Sequence, residues 1–220
     1  MKDADVITAD SIFLEYGKKP ILRGIYLEMQ NKGIVGLLGR NGCGKSCLFK
    51  ILIGEINPQS KYISLNGQSM KDLYRVNGLI NYLPQHSFHP RSLSLKKLLS
   101  YYKIKASPFL NRYPFLIDKL NTKLGVLSGG QVRLIEVLLV LESNSKFSLL
   151  DEPFSHIMPM HLDLIINRIK EKALDKGILI TDHQYRRVLK LTGDLYLLKG
   201  GHLIKIKNEE ELRQHGYIRK

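Results

Sequence analysis

The chain has 220 residues, a length suited to one large domain or two small ones and long enough to bury a core without disulfides or a structural metal. Its hydrophobic content of 44% and charged content of 25% are ordinary globular values and exclude wholesale disorder. Against 34 Lys and Arg stand 20 Asp and Glu, and the resulting +14 favours phosphates, nucleic acid or an anionic membrane surface without choosing among them.

The opening MKDADVITAD carries scattered acids and no apolar core, unlike a secretory signal. No apolar run approaches the roughly 20 residues of a membrane-spanning helix. Two cysteines, Cys43 and Cys47, make no disulfide framework and fit a reducing compartment. The expectation is a soluble intracellular protein. Strands are predicted at 7–16 and 21–29, joined by a turn at 17–20, and then at 33–38, 62–65 and 79–83. Further strands are predicted at 147–150, 177–181, 194–198 and 202–206. They alternate with longer helical stretches, which is the pattern of an α/β domain with a mainly parallel sheet. No repeat of 20–50 residues is visible.

Between His89 and Lys123 the texture changes to three prolines, many aromatics and leucines at helical spacing, with no strand pattern, and a helical insertion is expected. Arg91, Lys96, Lys97, Lys103, Lys105, Arg112, Lys119 and Lys123 face only Asp118 there, so half of the net charge sits in this one segment. Its aromatics, Tyr101, Tyr102, Phe109, Tyr113 and Phe115, have two readings: stacking on bases beside the lysines, or forming a small core and a docking face.

Gly39-Arg40-Asn41-Gly42-Cys43-Gly44-Lys45-Ser46 matches G-x-x-x-x-G-K-[ST] and lies between a predicted strand and a predicted helix. Glycines let backbone N–H groups curl around phosphate oxygens, and the helix that follows points its positive end at the same anion. In that motif Lys45 reaches the β- and γ-phosphates and the Ser46 hydroxyl ligates Mg²⁺. Downstream, Phe147-Ser148-Leu149-Leu150-Asp151-Glu152 is a mostly apolar strand ending in two carboxylates. Asp151 can hold Mg²⁺ through water, and Glu152 can polarise an attacking water as general base. A Mg²⁺-bound nucleotide phosphate is the expected ligand. Cys43 sits at a helix start, where a thiol pKa tends to fall, which would suit a redox switch. The simpler reading is a small side chain tolerated at a variable position of the motif. Cys47 is grouped with the nucleotide-binding residues, although its side chain reads most simply as facing the core.

Leu127-Ser128-Gly129-Gly130-Gln131, LSGGQ, is the signature of ATP-binding-cassette (ABC) ATPases, and from about residue 5 to 207 the sequence resembles a single ABC nucleotide-binding domain. The resemblance implies a P-loop α/β fold of the ABC type, with a mainly parallel sheet core, an N-terminal antiparallel β part and a short helical subdomain. Residues 1–84 and 132–220 would form the core, and residues 86–131 the helical subdomain that docks on a membrane partner. It also implies adenine stacking by Tyr16, a Mg²⁺- and water-sensing role for Gln85, and a γ-phosphate contact for His183. Ser128, Gly129, Gly130 and Gln131 open a second anion-binding helix start. In the resembled fold this start covers the ATP held by the P-loop of another subunit, so a head-to-tail dimer with two identical sites is implied.

The function implied is an ATPase subunit that binds and hydrolyses ATP to drive a separately encoded permease at the cytoplasmic face of the membrane. The alternative is an ABC-type ATPase acting on nucleic acid or the ribosome. One departure stands out: Met158, followed by Pro159, occupies the place where the family usually has an aspartate that communicates across the dimer. The basic segment would lie near anionic lipids, and nothing beyond Lys207 suggests an added regulatory domain.

Overall fold

A computed structural model describes residues 4–218. Met1–Asp3, part of the N-terminal stretch read above, lie outside the described residues. The chain opens with two long antiparallel strands, β1 (Val6–Tyr16) and β2 (Lys19–Gln30), and continues into β3 (Ile34–Gly39) and α1 (Lys45–Leu52). Next come β4 (Ser60–Leu65), β5 (Gln68–Ser69), β6 (Ile80–Leu83), α2 (Leu95–Tyr101) and α3 (Ala106–Arg112). The second half runs α4 (Gly129–Glu142), β7 (Phe147–Asp151), α5 (Pro159–Lys172), β8 (Gly177–Thr181) and α6 (Tyr185–Leu191). It finishes with β9 (Asp194–Lys199), β10 (His202–Ile206) and α7 (Glu209–Gln214).

Two sheets result. One is antiparallel, in the order β2-β1-β4-β5, and the other runs β10-β9-β3-β8-β7-β6. In the second sheet every neighbouring pair is parallel except β9 with β10. Each predicted strand is present, with ends moved by one or two residues, and β5 is an addition. Its turn is readable afterwards: Asn66-Gly67 has φ of 54° and 77°, the positive pair that a tight two-residue hairpin needs and that Asn-Gly supplies cheaply.

The six-stranded sheet is covered on both faces, which is why β3, β7 and β8 are buried along their whole length. Alternation sorts their side chains. Val35, Leu37, Leu149 and Leu179 pack with α1 and the antiparallel sheet. Ile34, Leu38, Leu150, Ile178 and Ile180 pack with α4, α5 and the 95–124 segment. Gly177 makes one junction possible, since a methyl group there would come 2.0 Å from the carbonyl of Gln30.

The segment between His89 and Lys123 is helical as expected, α2 and α3 being followed by 3-10 turns at Pro114–Lys119 and Leu124–Val126. Its extended pairing is limited to a single bridge, Ser94 with Lys123. Phe109, Tyr113, Leu116 and Leu124 join the same core as α4. Tyr102 meets His89, and of the five aromatics in question Tyr101 is by far the most open, at 85% exposure. Tyr102, Phe109 and Tyr113 pack into this core and are not free to stack on bases. The lysines do project outward: among the described residues, Arg112 is the one lysine or arginine of this segment in an ion pair, with Glu171. No helix among the described residues is long and apolar enough to cross a membrane.

Candidate functional site

The site lies at the carboxyl ends of β3, β7 and β8, where loops leave the sheet. Gly42 and Gly44 have φ of 74° and 111°, left-handed values that only glycine adopts without strain, and they turn the chain from β3 into α1. Gly44 also packs on Ile21 and Leu22, so a side chain there would strike β2. A cavity of about 450 Å³ opens over this turn, lined by Tyr16, Ile21, Asn41, Gly42, Gly44, Lys45, Ser46, Cys47, Gln85, Glu152 and His183. Residues from five separate stretches of sequence therefore meet at one concave surface. Lys45 is buried and donates through Nζ to the carbonyls of Gly39 at 2.8 Å and Arg40 at 3.3 Å.

Asp151 is buried beneath the P-loop. Burial pushes its carboxyl above the usual carboxylate range, while hydrogen bonds from Ser46 and Tyr82 and the charge of Lys45 pull it back. Tyr82 donates to Oδ2 at 3.2 Å, and Oδ1 is buried with no partner. A buried carboxylate oxygen left free beside the Ser46 hydroxyl is the donor set expected at a Mg²⁺ position, so these residues fit the metal.

Glu152 leaves the line of β7 through a left-handed backbone, φ 53°. Its Oε1 lies 2.8 Å from Nε2 of His183, and its Oε2 accepts from the hydroxyl of Ser155 at 3.0 Å. Asp182, also buried, accepts from the backbone N–H of Phe154 and of Gln184 and so fixes the loops on both sides of that contact. Desolvation raises its carboxyl.

The signature residues are elsewhere. Ser128 caps α4, its Oγ accepting from the N–H of Gln131 at 3.3 Å while the Gln131 side chain accepts from the N–H of Ser128 at 3.0 Å. This reciprocal box occupies the Gln131 side chain. None of Ser128, Gly129, Gly130 or Gln131 lines the P-loop cavity.

The two cysteines both pack against the core but line different cavities. Cys43 turns away from the P-loop cavity, packs under Gly39, and lines a separate cavity of about 480 Å³ with Arg40, Leu198 and Tyr217. Burial there raises its thiol pKa, overriding the helix start and Lys45, which act to lower it. Cys47, half-buried like Cys43, lines the P-loop cavity beside Tyr16. Tyr16 itself is 54% exposed, an open ring at the cavity edge. Gly39 is packed against Cys43 and Leu198 and serves the turn from behind. Met158 precedes the first turn of α5 with its side chain 42% exposed and no capping hydrogen bond.

A model of the family described as ABC transporter matches residues 22–155, more than half of the chain. The chain belongs to the ABC transporter family. This ABC protein is 31% identical to the lipopolysaccharide export system ATP-binding protein LptB of Escherichia coli K12, over 97% of this chain and 95% of that protein. It is 29% identical to the protein of the same name from Haemophilus influenzae, over 95% of each. Among solved structures it superposes on an ATP-binding subunit of an ABC transporter with a TM-score of 0.81, 22% identity, and coverage of 96% of this chain and 93% of that one. It superposes on a bacterial Atm1-family ABC exporter with ATP bound with a TM-score of 0.82 and 19% identity, over 97% of this chain and 41% of the exporter chain. Those two likenesses carry the fold. The ABC protein is an ATP-binding ATPase subunit that powers transport together with a separate membrane component.

Sequence reasoning missed Tyr82, Ser155, Asp182, Arg133 and Glu136. Arg133 and Glu136 lie on α4 outside the cavity, and both are buried.

Proposed function

We propose that two copies of this ABC subunit, or one copy and a related ATPase subunit, close head to tail around two ATP molecules and drive a permease at the cytoplasmic face of the membrane. The observation that carries this reading is the division of the site. The P-loop cavity gathers Tyr16, Lys45, Ser46, Gln85, Glu152 and His183, while the capped start of α4 stands apart from it. A second chain supplying Ser128–Gln131 would complete the cavity, with a helix N-terminus aimed at the γ-phosphate.

Within each site Lys45 and the backbone N–H groups of the P-loop neutralise and hold the phosphates, and Tyr16 stacks on adenine. Ser46 and Asp151 would hold Mg²⁺, with Gln85 completing the set, and the metal would supply neutralisation of phosphate charge. Glu152 takes the proton of the attacking water, and His183 fixes its carboxylate and contacts the γ-phosphate. Residues 86–131 serve as the subdomain that meets the permease, carrying their positive charge toward that surface. Met158 puts a thioether where the family usually carries an aspartate, so the two sites communicate differently here.

Size-exclusion chromatography of the Glu152→Gln protein tests the reading. ATP with Mg²⁺ should convert monomer to dimer, and adding Ser128→Arg should abolish the conversion. A monomer at saturating ATP, or a dimer indifferent to Ser128, overturns it.

A further inference from the structure

The helix α4 is buried along most of its length, and two of its charges, Arg133 and Glu136, are 3% and 0% exposed. Buried charges are strongly unfavourable unless hydrogen-bonded. These two meet each other only loosely, at 3.9 Å, so their bonds lie elsewhere.

Arg133 fills a gap in the sheet. The parallel pairing of β6 with β7 ends at Leu83 with Leu150. The next residue, Pro84, lies just past β6 and has no N–H to continue the ladder. The guanidinium takes over: Nη1 donates to the carbonyl of Pro84 at 2.6 Å, and Nη2 donates to those of Asp151 at 2.7 Å and Glu152 at 2.9 Å. One planar fork thus joins the residue before Gln85 to the last residue of β7, Asp151, and to Glu152 just beyond it. It also grips the carbonyl of Glu152, whose left-handed backbone persists only where its surroundings over-determine it.

Glu136 holds the other end of the same loop. Its Oε1 accepts from Ser87 Oγ at 2.7 Å, the Phe88 N–H at 3.2 Å and His89 Nδ1 at 3.2 Å. His89 Nε2 in turn lies 3.0 Å from the Tyr102 hydroxyl, just past the end of α2. Burial raises the Glu136 carboxyl, but the bonds from His89, Ser87 and Phe88 outweigh it and leave the group below the usual carboxylate range. Gln85 is therefore suspended between two anchors one helical turn apart on α4, whose first residues are the signature.

We propose that Arg133 is a positioning residue for ATP hydrolysis, and that the Arg133–Glu136 pair makes α4 a strut moving the signature, Gln85 and Glu152 as one body. This rests on the hydrolytic roles proposed above for Gln85 and Glu152. The strut would admit hydrolysis only when a partner's nucleotide has drawn the start of α4 into place.

Steady-state ATPase and nucleotide-binding measurements on Arg133→Met, Arg133→Lys and Glu136→Gln test it, with Glu152→Gln alongside. For Arg133→Met, kcat should fall on the order of 10²-fold, the size of a misplaced catalytic group, while the Kd for ATP stays within about threefold. Arg133→Lys should recover part of kcat, since an ammonium can donate to some but not all of the three carbonyls. Wild-type kcat in Arg133→Met, or equal losses in kcat and binding, overturns the strut. Active Glu152→Gln would instead overturn the hydrolytic assignment. Should the α4 variants fail to fold, hydrogen exchange on the wild-type protein decides. With a non-hydrolysable ATP analogue, peptides covering 84–89, 128–141 and 151–153 should gain protection together, and protection of 128–141 alone overturns the proposal.

Discussion

His183 Nε2 and Glu152 Oε1 lie 2.8 Å apart, joining a residue just beyond β8 to one just beyond β7. Neither side chain reaches the other by strand geometry alone. Glu152 turns aside through its left-handed backbone, and Asp182 pins the loops on which both stand. Two groups that face one cavity and bond to each other act as a unit, and such units respond non-additively to mutation.

Glu152→Gln keeps the size and a hydrogen bond to His183 but removes the proposed base. Phosphate release should fall roughly 10²–10⁴-fold, with ATP affinity preserved in a fluorescent-nucleotide titration. Adding His183→Ala to that variant should cost little more turnover, although His183→Ala alone costs much. Full multiplication of the two effects would show that the residues act separately.

Cys43 sits in the P-loop yet should be chemically quiet. Its thiol is pressed beneath Gly39, and burial raises its pKa, so less thiolate exists at neutral pH. In a Cys47→Ser background, alkylation by iodoacetamide at pH 7.5, followed by mass spectrometry, should run slower than for free glutathione. Cys43→Ala should keep most ATPase activity. Rapid modification with loss of turnover would instead mark a redox-sensitive site.

Motif chemistry was legible because it demands fixed residue types at fixed spacing: the glycines and Lys45 around phosphate, and Asp151-Glu152 at the end of an apolar strand. The buried sheet was legible from β-rich runs such as 147–150 and 177–181. What the sequence concealed was direction and partnership. The left-handed Gly44 sits between Cys43 and α1, so helix periodicity could not say which way Cys43 faced. Arg133 and Glu136 look like ordinary charges on a helix, and four of their partners are backbone atoms, of Pro84, Asp151, Glu152 and Phe88, which carry no side-chain signal. The free Oδ1 of Asp151 likewise appears only once Ser46 and Tyr82 are in place.

Acid stability should depend on Glu142, at the end of α4. Burial raises its carboxyl, but Arg168, bonding both oxygens at 2.6 Å, and Tyr113, with support from Lys172, bring it down to about 2. Its folded pKa lies below the ordinary value of 4.5, so the native state is favoured by its ionisation. The contribution is complete above pH 4.5 and is lost as pH falls toward 2, on the order of 2 kcal/mol. Urea unfolding of Glu142→Gln should show lower stability at pH 7 and a smaller decline between pH 4.5 and 3 than the parent. Parallel curves for the two proteins would mean that Glu142 is not the responsible group.

Gly130 and Gly129 separate packing from function within the signature. A methyl group on Gly130 would lie 2.6 Å from the carbonyl of His156, a backbone atom that cannot swing aside, whereas one on Gly129 meets nothing within 4 Å. Gly130→Ala therefore has to push the start of α4 away from the loop after Glu152, and overpacking of that kind should lower Tm by roughly 2–10 °C. Gly129→Ala should leave Tm unchanged. Neither glycine lines the P-loop cavity, so both variants should bind ATP as monomers with near-parental affinity. Turnover should nevertheless fall in both, because in the proposed dimer each methyl group intrudes where the partner's γ-phosphate sits. Scanning calorimetry, nucleotide titration and ATPase assays on the two proteins together make the check. A fully active Gly129→Ala would place the signature away from the reacting phosphate.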